Sequence, residues 1–135
     1  MDTSRLDLTL RMSVLQLADL CGIFHACIWD LEQPLSVIEV LRNAYKKNRS
    51  PIEGQFPWTR NSNWTRQEHV SRISWLLLNG WGDPINLDFD TPFYCGWPVI
   101  DGLHRLAAAF SRLDPSIEVV AYGNMLPHKE LIRAL

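Results

Sequence analysis

Apolar and polar residues alternate through RLDLTLR (5–11), with Leu6, Leu8 and Leu10 set against Asp7 and Thr9. That period of two predicts a strand. SVLQLADLCG (13–22) changes to a helical spacing and meets a stop signal at Gly22. FHACIWDL (24–31) carries both patterns and is read as a strand. PLSVIEVLRNAYKKN (34–48) predicts a helix with Val37, Val40, Leu41 and Ala44 on its apolar face, and Ser36 and Glu39 have the spacing of a capping box. TRQEHVSRISWLLLNG (65–80) repeats the device with Thr65 and Glu68, turns Val70, Ile73 and Leu77 inward, and ends at Asn79-Gly80. His69 reads as an exposed helical histidine, as do His25 and His128 at their own positions.

The C-terminal half alternates between the two periods. PINLDF (84–89) predicts a half-buried strand with Asn86 and Asp88 outward, and WPVI (97–100) predicts another. A helix over 103–113 places Leu103, Leu106, Ala107, Phe110 and Leu113 on one face. IEVVAY (117–122) is the last strand, and HKELIRAL (128–135) a short terminal helix. Strands interleaved with helices over 135 residues predict one α/β or α+β domain.

Composition narrows the class. At 47% hydrophobic and 21% charged the chain is globular. No apolar run approaches the length of a membrane span, and MDTSRLDLTLRM lacks the basic start and apolar core of a signal peptide, so a cytoplasmic protein is expected. Three cysteines without a CxxC pair suit reduced, buried thiols better than a zinc site, although Cys21, His25 and Cys27 are close in sequence.

The net charge of −2 is uneven. Arg42, Lys46, Lys47, Arg49, Arg60 and Arg66 face only Glu53 across residues 42–66. Within that stretch RSPIEGQFPWTRNSNW (49–64) is a long loop carrying Phe56, Trp58 and Trp64. Lys46, Lys47, Arg49, Trp58, Arg60 and Trp64 are candidates for contact with nucleic acid or a protein partner, since aromatic rings stack on bases while cations meet phosphates. The alternative is a solvated loop with its tryptophans folded onto the core.

The densest chemistry lies in WPVIDGLHRLAAAF (97–110), where a strand runs into Asp101-Gly102 and a helix opens with His104 and Arg105. A helix start exposes unsatisfied N–H groups and the positive end of the dipole, which together suit an anion. Asp101 at the N-cap would accept from the same groups, so a plain helix cap competes with a phosphate site.

LLLNGWGDPI (76–85), VIDGLHRLAAA (99–109) and EVVAYG (118–123) together resemble the core of the ParB/sulfiredoxin-like superfamily, over about residues 65–124. In that superfamily a helix ends in Gly before a strand, a second strand enters an Asp-Gly or Gly-x-x-Arg turn, and an Ala-rich helix leads to a final strand. Residues 1–64 do not align, and the resemblance implies a small mixed sheet surrounded by helices. The resemblance implies binding of nucleotide phosphates, those of ATP in sulfiredoxins, CTP in partition proteins, and ATP or ADP in free-serine kinases. Carried over by position, Gly102, His104 and Arg105 would bind phosphate, and Asp101 with His104 would be catalytic. Asp101 would also hold Mg2+ for phosphoryl transfer, NTP hydrolysis or nuclease action. Upstream carboxylates Asp30, Glu32 and Glu39 are candidates for a general base. Leu103 stands where sulfiredoxins carry their catalytic Cys, which argues against sulfiredoxin chemistry. The other function class is an inert interaction or inhibitor module, such as a small accessory protein of a mobile element.

Overall fold

The computed structural model describes residues 8–46, 64–91, 94–124 and 126–131. Four strands form one mixed sheet: β1 (Leu8–Ser13), β2 (Ile85–Asp88), β3 (Val99–Asp101) and β4 (Ser116–Tyr122), in the order β1-β4-β2-β3. β4 runs antiparallel to β1 and parallel to β2, and β3 pairs antiparallel with β2 across an irregularity between Asn86 and Leu87. The helices are α1 (Val14–Cys21), α2 (Ala26–Trp29), α3 (Val37–Lys46), α4 (Arg66–Asn79) and α5 (Leu103–Ser111), with a 3-10 turn at Leu126–Leu131. The chain is thus a small α+β domain with helices packed on a mixed sheet. Among the described residues no helix is long and apolar enough to cross a membrane.

Local sequence accounts for most of the element ends. The Ser13 hydroxyl accepts from the Gln16 N–H at the start of α1, and Gly22 closes that helix in the left-handed region. Both capping boxes form. Ser36 and Glu39 exchange hydrogen bonds at α3, and Thr65 and Glu68 do so at α4. Glu39 also pairs with Arg66 at 2.6 Å, and Arg66 donates to the carbonyls of Gln33 and Pro34. That guanidinium holds the Glu39 carboxyl below the usual carboxylate range and joins the starts of α3 and α4, so Glu39 is structural.

Four expectations are corrected. Residues 24–31 form a single helical turn, because Asp30 takes a left-handed conformation and closes α2 after Trp29. Asp88 is buried, its carboxylate accepting from the Asp90 N–H as β2 ends. Leu113 lies past the end of α5 with positive φ and is exposed. Cys27 and Cys95 form a disulfide, leaving only Cys21 as a buried thiol. The first three reflect turns that cut a periodic pattern short, and the fourth a pairing of residues distant in sequence.

The core lies between the sheet and α1, α4 and α5. Ile85 and Leu87 of β2 and Ile117, Val119 and Ala121 of β4 meet Leu17, Ile73, Leu76 and Leu106. Ala107, Ala108 and Ala109 are fully buried, small enough to let α5 sit close. The closest approach is at Gly102, where an added Cβ would lie 2.4 Å from Ile85 Cγ2 with φ at +116°.

Gly102→Ala should therefore cost about 3 kcal/mol, combining left-handed strain with overpacking. Urea unfolding checks it against Gly82→Ala, which meets nothing within 4 Å and should be nearly neutral. Equal midpoints for the two variants would contradict the close seating of α5 on β2.

Candidate functional site

β3 delivers Asp101 to the mouth of α5, and the N-cap of that helix is Gly102, so Asp101 sits one position earlier than the capping reading requires. Gly102 supplies no side-chain acceptor, and the first closing bond of the turn runs from the Leu106 N–H to the Gly102 carbonyl. The helix thus begins without a cap from its N-cap side chain, which leaves the dipole and first-turn donors to other acceptors.

The Arg105 guanidinium is already partnered beside that turn. Its Nη1 donates to the carbonyls of Asp83 (3.0 Å) and Pro84 (3.1 Å), and its Nη2 to Asp101 Oδ2 (3.1 Å). The guanidinium ties the approach to β2 onto the start of α5. Asp101 is exposed and paired with Arg105. Among the described residues no group of three His, Cys, Asp or Glu is gathered closely enough to hold a metal ion. Asp101 therefore does not belong to a three-ligand cluster of such side chains.

His104 is bound to a residue that the sequence placed in solvent. His69 of α4 is only 8% exposed, and its Nδ1 lies 3.0 Å from His104 Nε2. Its other ring nitrogen, Nε2, lies 3.1 Å from the carbonyl oxygen of Trp29. A carbonyl only accepts, so His69 Nε2 carries the hydrogen. Burial lowers the pKa of His69 and favours the neutral ring, whose Nδ1 must then accept. His104 therefore donates from Nε2 to His69.

Two tryptophans enclose the pair. Trp29 is centred 5.1 Å from His69 and 5.0 Å from His104, and Trp64 5.2 and 5.0 Å from the same rings. Trp64 is thus half-buried against the site rather than presented to solvent, while Lys46 is exposed at the end of α3. Lys47, Arg49, Trp58 and Arg60 lie outside the described residues. His69 and Trp29 are the functional positions that sequence reasoning passed over. His69 lies four residues before Ile73, at the border of the apolar stripe of α4, which is the one signal for its burial.

Fold and site together define a small α+β domain in which a helix starts at a glycine N-cap beside a histidine pair, His69 buried and His104 half-buried. Comparison with protein-family models, with curated proteins and with solved structures finds no match to this chain.

The low pKa of His69 fixes a pH dependence. The unfolded chain takes up its proton near pH 6.5 and the folded chain only below that, so the stability contributed by neutral His69 is present above about 6.5. It is lost as pH falls through the window beneath 6.5 and levels off below the folded value. The thermal midpoint should fall between about pH 7.5 and about pH 5.5 by more in the wild type than in His69→Gln, which keeps an N–H donor without the titration. Parallel pH profiles would contradict a buried neutral His69.

Proposed function

We propose that the chain is a nucleotide-phosphate-binding domain whose ligand phosphate, from ATP or another NTP, sits at the first turn of α5. The observation that carries this reading is that α5 opens at Gly102 without a side-chain cap while His104 is anchored in that turn by His69. Backbone donors of the first turn and the dipole attract the anion, and the His104 side chain adds a hydrogen bond to it. Arg105 braces the turn through Asp83, Pro84 and Asp101. The order of elements from α4 through β2, β3 and α5 to β4 is the one the ParB/sulfiredoxin-like resemblance implies, and it supports the same reading. Magnesium, where it takes part, arrives with the phosphates. The same proposal sets the protein in the cytoplasm, where nucleoside triphosphates are abundant.

The second reading, an inert interaction module, has its own support in an apolar stripe on α3. Ile38, Leu41 and Tyr45 are exposed there, Tyr45 at 89%.

Thermal shift with ATP, ADP, CTP and GTP, with and without magnesium, separates the two. A ligand held at about 100 times its Kd adds about 2.7 kcal/mol to stability. His104→Gln should weaken the nucleotide about tenfold, the loss of one charge-assisted hydrogen bond. Asp101→Asn removes a negative charge beside the turn and should tighten inorganic phosphate about threefold at low salt. No shift with any nucleotide at millimolar concentration would overturn phosphate binding and favour the interaction module.

A further inference from the structure

The Cys27–Cys95 bridge joins α2 to the turn that precedes β3, across a sequence separation of 68. Both cysteines are exposed. Exposed disulfides are open to attack by an external thiolate, and labile or regulatory bridges are drawn from this class. The third cysteine is of the opposite kind. Cys21 is buried, its Sγ donates to the Ala18 carbonyl, and burial pushes its thiol up to about 12. At neutral pH it is a poor nucleophile and does not compete for the bridge.

The two ends of the bridge lead to the same place. Two residues after Cys27, Trp29 gives its carbonyl to His69 and its ring to both histidines. One residue after Cys95, Gly96 is packed so that an added Cβ would lie 3.7 Å from Ile28 Cγ1 and from both δ-carbons of Leu103. Leu103 is the first residue of α5. The bridge therefore fastens together two elements that meet at the opening turn of α5.

We propose that Cys27–Cys95 is a redox site that exchanges with an external dithiol, and that its state sets how α2 is seated against the first turn of α5. A thiolate of the dithiol attacks one sulfur of the bridge, forms a mixed disulfide and releases the other cysteine as a thiolate, which takes up a proton. The second thiol of the reagent then closes onto its own first sulfur and releases the second cysteine. The protein gains two electrons and two protons, and the dithiol leaves as its disulfide. Each side keeps its own internal bonds once the bridge opens. Tyr94 Oη donates to the Val99 carbonyl, Trp97 Nε1 to the Thr91 carbonyl, and Trp29 Nε1 to the Ile23 carbonyl. Reduction is thus a local release rather than an unfolding.

Exchange here is independent of what the α5 turn binds, and the test uses no ligand. The full chain is equilibrated in reduced and oxidised dithiothreitol without denaturant, quenched with iodoacetamide and weighed. Expected are species carrying either no label or two, mapped to Cys27 and Cys95 with Cys21 unmodified. Far-UV circular dichroism should stay native while tryptophan emission changes in step with the label. The double variant Cys27→Ser, Cys95→Ser should show the emission of the reduced protein and ignore the dithiol. Should it not fold, reduced wild-type protein followed by circular dichroism makes the same comparison. A bridge that opens only in denaturant, a label on Cys21 in native buffer, or identical emission in both redox states would each overturn the proposal.

Discussion

The seating of α5 on β2 at Gly102 is the contact from which the rest of the site follows. With no Cβ between them, the helix start lies directly on Ile85, in a backbone conformation that other residues resist. Arg105 then reaches back to the carbonyls of Asp83 and Pro84, so the same helix turn grips both the strand and the chain leading into it. Three buried alanines carry the close approach along the helix. α4 packs beside α5, which brings His69 of one helix within hydrogen-bond distance of His104 of the other.

This seating divides the work of the two basic side chains. Arg105 is the more strongly basic, and the structure uses it as a brace. His104 stays in the turn, held to His69 through its Nε2. The tryptophans on either side limit the freedom of both rings, and Trp29 does so while supplying the carbonyl that fixes the tautomer of His69.

Much of the fold was legible because local chemistry and tertiary packing agree. The capping pairs Ser36–Glu39 and Thr65–Glu68 marked α3 and α4, Gly22 the end of α1, and alternation β2 and β4. The errors arise where one residue ends a pattern early. Asp30 closes α2 after one turn, and Asp88 turns inward to hold the bend after β2. The site was half legible. Asp101-Gly102 announced the turn, but the partners that define it come from elsewhere in the chain: Trp29 from α2, His69 from α4, the Asp83 and Pro84 carbonyls ahead of β2. Such pairings leave no mark in local spacing, and neither does a disulfide between residues as far apart as Cys27 and Cys95.

The central claim is that the first turn of α5 is an anion site built from its own backbone and His104. Titration of the uniformly 15N-labelled chain with inorganic phosphate near pH 6.5, followed by amide and imidazole nitrogen shifts, tests it most directly. The account predicts saturable shifts at the amides of Leu103, His104 and Arg105, while His69 keeps its hydrogen on Nε2. Unchanged amides at those three residues, or a His69 carrying its hydrogen on Nδ1, would contradict it.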